Sequence, residues 1–238
     1  MKKIILAVAV LIISVAKLSA QSVDEIVSKN LDATGGVSKL REVRSIVTET
    51  TVKLQGLQIE NMTTVLVGRA MRSDSKILGD NMVQAFDGTT PWTINPVMMG
   101  GTGEPQVMTE EMSKSVINQV DPFPLLDYNK KGTRVELLPS EKIKDKVSYH
   151  LKISPKDGAE SEIWIDVTTW LPSKLKTIQN GQDVEIVFSN YTKFDGVMFA
   201  TSMETSNPMA GVIAINTKTV KVNTAIDESI FKMPVAKN

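Results

Sequence analysis

Two hydrophobic periods divide the chain. Over Val23–Thr34 the apolar residues Val23, Ile26, Val27 and Leu31 recur at helical spacing, and Ser22 stands ready to cap a first turn holding Asp24 and Glu25. Gly35-Gly36 follows as a C-cap, and a short second helix is expected over Ser38–Val43. From Ser45 the period drops to two. Ser45–Leu54 and Leu57–Val67 are rich in Val, Thr and Ile, with Gln55-Gly56 as the turn between them. Further on, Val147, Tyr149, Leu151 and Ile153 alternate with Ser148, His150, Lys152 and Ser154. Ile163 and Ile165 alternate with Trp164 and Asp166, and Val220 and Val222 with Lys221 and Asn223. Asp87-Gly88, Asp157-Gly158, Asn180-Gly181 and Asp195-Gly196 punctuate these runs with dipeptides favoured in tight hairpins. Strand follows strand, so the pattern predicts an antiparallel meander rather than a parallel α/β sheet.

One stretch departs from this pattern. Asn95–Val107 holds Pro96, Gly100, Gly101, Gly103 and Pro105, which predicts an irregular loop. Thr109 then caps a helix with Glu110 and Glu111 in its first turn and an apolar stripe of Met112, Val116, Ile117 and Val120, stopped by Pro122 and Pro124. Loop and helix together read either as a lid on one face of the sheet or as a plug in its core. No linker or repeat divides the sequence, which predicts one domain over residues 21–238.

The N-terminus changes the setting. Lys2 and Lys3 precede an apolar run, Ile4–Val15, and Leu18-Ser19-Ala20 closes the segment, as in a secretory signal peptide cleaved after Ala20. Gln21 occupies the place where a lipoprotein has its anchoring cysteine, so the expected product is exported, unanchored and periplasmic, with at most transient membrane contact. Cysteine is absent, so stability must come from the core. With Lys2, Lys3 and Lys17 removed, 24 bases stand against 27 acids, a net charge of −3. That balance offers no electrostatic footprint for nucleic acid.

Catalytic chemistry finds little material. His150 is the only histidine, which removes Cys–His catalysis and multi-histidine metal sites, and its strand position predicts a solvated side chain. Glu160, Glu162 and Asp166 read as a solvated strand face, and aromatics make up only 5% of the chain, few for a sugar site. Gly35-Gly36 ahead of a basic helix suits a phosphate, but the C-cap accounts for the same residues. The expectation is a non-enzyme without cofactor or metal. Soft apolar side chains are plentiful instead: there are twelve methionines, Met98, Met99, Met108 and Met112 clustering around the irregular loop and helix. Such thioethers suit an apolar ligand of variable shape, or simply fill gaps in a curved sheet. Ten methylenes are worth about 8 kcal/mol at ~0.8 kcal/mol each, so only a long acyl chain would outweigh the cost of immobilising it.

Several short segments, in order, resemble the LolA-like outer-membrane lipoprotein-sorting proteins. They are Val23-Asp24-Glu25-Ile26 with Ala33-Thr34-Gly35-Gly36; Ala85-Phe86-Asp87-Gly88 with Pro91-Trp92-Thr93-Ile94-Asn95-Pro96; Leu125-Leu126-Asp127-Tyr128 with Lys131-Gly132; Phe194-Asp195-Gly196-Val197; and Phe231-Lys232-Met233-Pro234. The resemblance implies a mainly β (α+β) fold: a strongly curved antiparallel sheet, a half-open barrel, with helices covering its concave face. It also implies a non-catalytic carrier enclosing an acyl chain of a lipid or lipoprotein, or an envelope sensor or scaffold of the same fold, with an envelope protein as partner. The arginine tied to ligand transfer in such carriers matches no single one of Arg41, Arg44, Arg69, Arg72 and Arg134. The residues expected at the wall or lid of the pocket are Trp92, Met98, Met99, Met112, Val116, Ile117, Phe123 and Leu125, with Trp92 either at the rim or in the core.

Overall fold

The change of period at Ser45 marks a change of element in the computed structural model, which describes residues 21–156, 158–179, 182–207 and 211–235. Residues 1–20, where a signal peptide is expected, lie outside the described residues, as do Asp157 and Asn180-Gly181. Helix α1 spans Val23–Thr34, and its first turn is closed by the Ser22 hydroxyl, which accepts from the Glu25 amide. The amides of Gly35 and Gly36 both donate to the Leu31 carbonyl, so the glycine pair is a C-cap and its N–H groups are not free for a phosphate. Helix α2 is Val37–Glu42.

Among the described residues, thirteen strands form a single sheet. They are β1 (Ser45–Leu54), β2 (Leu57–Leu66), β3 (Ala70–Ile77), β4 (Asp80–Phe86), β5 (Pro91–Ile94), β6 (Pro105–Val107), β7 (Arg134–Ile143), β8 (Lys146–Ser154), β9 (Ser161–Asp166), β10 (Pro172–Gln179), β11 (Gln182–Phe194), β12 (Val197–Asn207) and β13 (Gly211–Val222). The order is β6-β5-β4-β3-β2-β1-β13-β12-β11-β10-β9-β8-β7, every pairing antiparallel. Two meanders, β1–β6 and β7–β13, are thus joined where the first strand pairs with the last. The turns Gln55-Gly56 and Asp195-Gly196 have both residues at positive φ (47° and 82°; 47° and 88°), as tight hairpins require.

The loop after β5 is more regular than expected. Val97–Met99 makes a 3-10 turn ended by left-handed Gly100, the amides of Gly101 and Gly103 return to the Pro96 and Asn95 carbonyls, and β6 pairs with β5. The glycines that break periodicity are what allow this tight fold. Helix α3, Glu110–Asn118, begins at Thr109, whose hydroxyl accepts from the Met112 amide.

Strong curvature follows from the helix contacts. α1 touches β12 and also the edge strand β7, while α3 touches β4 and β5 and also β10, strands far apart in the sheet order. Both helices therefore lie inside the curl. The main core joins Ile26, Val27 and Leu31 of α1 to Ile46, Leu151, Ile163, Ile165 and Val220 of the sheet. A second, smaller core sets Val116 of α3 and Met108 against Val65 and Met71.

Candidate functional site

Parity along the strands separates the two faces of the sheet. Ile46 in the main core fixes the concave face of β1, so Thr48, Thr50 and Val52 share it. The cross-strand register carries that face through the sheet. On β2, Val65, Thr63, Asn61 and Ile59 oppose these four residues. Lys218 is the extra residue of a bulge between Thr219↔Glu49 and Thr217↔Thr50, so Ile215 again opposes Val52.

Three bands result. Where β1 begins, Ile46, Val65 and Met71 are buried beneath the helices. The middle band is polar. Asn61 Nδ2 donates to the hydroxyls of Ser73 (2.7 Å) and Ser75 (2.9 Å), and its Oδ1 accepts from Thr63 (3.0 Å) and Thr50 (3.3 Å). Toward the β1–β2 turn the face is apolar again: Ile59, Val52, Ile215, Met203 and Phe188 are linked across the register, Leu175 joins the same face through its partner Ile186, two residues from Phe188, and all are half-buried. A continuous greasy belt that stays partly in contact with water is the feature of this face best suited to an apolar ligand.

The eight residues expected at the pocket are not brought together. Trp92 is fully buried on the convex face, where its indole N–H donates to the Phe231 carbonyl at 2.7 Å; of its two readings, core is the one observed. Met98 and Met99 are 53% and 56% exposed on the 3-10 turn and belong to none of the buried clusters of the described residues. Met112 and Val116 pack α3 onto Val65 and Met71, which is the plug reading of that helix, and Ile117 is half-buried. Phe123 and Leu125 belong to the main core. The belt on β1, β2 and β10–β13 was missed. Its signal was present as alternation in those strands, but which alternate set faces inward depends on the pairing of β1 with β13.

The expectation of a solvated strand face at His150 is corrected. His150 is buried, stacked on Trp164 with centroids 4.0 Å apart; Nε2 lies 2.6 Å from Glu162 and Nδ1 3.6 Å from Glu141. A bulge in β7 brings Glu141 opposite Ser148, and from there it also accepts from the Trp164 indole at 3.1 Å. Asp166 is likewise buried. Burial pushes its carboxyl up, yet the amides of Thr169 and Thr168 and the Thr169 hydroxyl bond to it and hold it below the usual carboxylate range. Among the described residues, no group of three or more His, Asp or Glu side chains is placed to hold a metal.

Two clefts open beside these bands. One, of about 320 Å³, is lined by the charged residues Glu49, Glu60, Asp74, Lys76 and Lys218, with Met62 among its other lining residues. The other, of about 340 Å³, lies where β1 begins and has an apolar floor that includes Phe123.

No family model and no curated protein matches the sequence. Solved structures do. A domain described as outer membrane lipoprotein-sorting from Vibrio parahaemolyticus is 17% identical over 87% of this chain and 94% of its own length, with a TM-score of 0.56. A LolA superfamily protein from Nitrosomonas europaea is 11% identical over 87% of this chain and 96% of its own, with a TM-score of 0.57. The chain therefore has the LolA-like fold, as its strand order and interior helices already indicated. No described helix is long and apolar enough to cross a membrane.

Proposed function

We propose that this protein is a non-catalytic periplasmic binding protein that holds an acyl chain of a lipid or lipoprotein against the concave face, exported by residues 1–20 with cleavage after Ala20. The observation that carries the reading is the half-buried belt of Val52, Ile59, Ile215, Met203, Phe188 and Leu175. A folded chain normally buries such a set, and covering it with about ten methylenes gains roughly 8 kcal/mol, enough to exceed several kcal/mol of ordering cost. The lipoprotein-sorting description of the Vibrio structure supports the same reading. A sensor or scaffold of the same fold, with an envelope protein as partner and no lipid transfer, is the alternative; the dense packing of Met71 and Val116 at the other end of the hollow favours it.

Displacement of a fluorescent long-chain fatty acid, together with native mass spectrometry of protein purified from the periplasm, tests the proposal. Phe188→Asp and Met203→Asp put charge on the half-buried belt without opening a core cluster, and each should lower affinity at least tenfold while the fold survives. Protein that carries no lipid and binds no fatty acid would favour the scaffold.

A further inference from the structure

The second cleft lies at the opposite end of β1 from the belt. Arg44 and Val52 are eight residues apart, about 26 Å at ~3.3 Å per strand residue. Its floor is Leu40, Val43, Val67, Phe123 and Leu126, contributed by α2, the end of β2 and the segment after α3. Three cations line it. Arg41 forks onto Asp127 through Nε (2.9 Å) and Nη2 (2.7 Å), and with Lys130 it holds that carboxyl well below its usual range. Lys131 bonds Asp121 at 2.6 Å and the Phe123 carbonyl at 3.1 Å. Arg44 is different. Its Nη1 donates to the Arg41 carbonyl at 2.8 Å, and it meets no carboxylate among the described residues. Its backbone is fixed on both sides, the amide donating to Asn223 Oδ1 and the carbonyl accepting from the Val67 amide.

We propose that this cleft binds an aliphatic chain of about eight carbons ending in a single anionic group, with Arg44 pairing the anion. A guanidinium has five N–H donors, and among the described residues one of Arg44's is engaged, leaving a fork free for a carboxylate or phosphate monoester. Arg41 and Lys131, the other two cations of the lining, are each held by a carboxylate, so Arg44 is the one with a fork to offer an anion. The tail length follows from the space: 340 Å³ holds about eleven non-hydrogen atoms at the ~30 Å³ a water occupies. The chemistry is shared by a free fatty acid and by the phosphate-bearing end of a lipid, and the site is independent of the acyl belt proposed above.

The test is a titration of the protein with octanoate, octyl phosphate, octanol and inorganic phosphate, followed by calorimetry and by amide NMR shifts at Leu40, Val67 and Leu126. Both anionic amphiphiles should bind at this end, and octanol and inorganic phosphate at least tenfold more weakly. A preference for octanoate indicates a fatty acid, and one for octyl phosphate a lipid head, either consistent with the proposal. Arg44→Gln should cost tenfold for the anions and nothing for octanol, whereas Val67→Phe, filling the cleft from a half-buried position, should abolish all binding there. Phe188→Asp on the belt should leave these shifts unchanged, which separates this site from the acyl reading. Equal binding of octanol and octanoate, an Arg44→Gln protein with unaltered affinity, or shifts confined to β10–β13 would overturn the assignment.

Discussion

At Gly35 the backbone takes φ +155°, and a Cβ built there would lie 2.9 Å from the Gly196 carbonyl in the β11–β12 turn. The residue thus ends α1 and also lets it dock against a hairpin far along the chain. Gly35→Ala should therefore lose roughly 1–3 kcal/mol, read by urea denaturation. That Gly-Gly ends the helix was legible in the sequence; the contact with Gly196 was not, because local pattern is silent about which turn a helix end meets. Asp166 makes the same point with charge. Its strand alternation placed it outward, and it is outward, but the Thr168-Thr169 turn folds over it and buries it. A carboxyl whose folded pKa is depressed adds stability that is present above its unfolded value, about 3.9, and is lost as pH falls through the folded value. Asp166→Asn should accordingly flatten the acid limb of a Tm-against-pH curve below about pH 4. Asp166→Ala should cost about 1–3 kcal/mol at pH 7 through the orphaned amides.

Elements were read more securely than their partners. The caps of α1 and α3 and most hairpins are written in residues next to one another, which is why Ser22, Thr109 and Asp195-Gly196 sit where the pattern put them. What each element leans on is written nowhere locally. The chain's end is the clearest case. The 3-10 turn Glu228–Phe231 crosses the convex face of β3, where Arg72 donates to the Ile230 carbonyl (2.7 Å) and Trp92 to the Phe231 carbonyl, with Phe231 itself 2% exposed. This clasp supplies the cover that makes Trp92 a core residue rather than a rim. Phe231→Ala should lose about 3–5 kcal/mol, as large-to-small core substitutions do, and should shift Trp92 emission to the red as water reaches the indole. An unshifted emission would show that the clasp does not shield Trp92.

For the molecule as a whole, the sequence disclosed a meander but not its seam. Two runs of hairpins could have formed two separate sheets; the pairing of β1 with β13, with Ile46 opposite Val222, makes them one. The helices tie that sheet across its curl, α1 from β12 to β7 and α3 from β4 and β5 to β10. Each helix needs strands of the second meander, and the buried face of Ile46 needs α1, so neither half retains its core when the other opens. Chains of this length commonly populate intermediates, and only such mutual dependence argues otherwise. The prediction is a single cooperative unfolding transition. Three tryptophans allow the halves to be watched separately, Trp92 in the first meander and Trp164 and Trp170 in the second. In a protein lacking the latter two (Trp164→Phe with Trp170→Phe), and in one lacking Trp92 (Trp92→Phe), the fluorescence midpoint in urea should coincide with the far-UV circular dichroism midpoint of the same protein. If the Trp92 signal moves well apart from the secondary-structure signal, the two meanders are separate folding units and the β1–β13 seam is too weak to couple them.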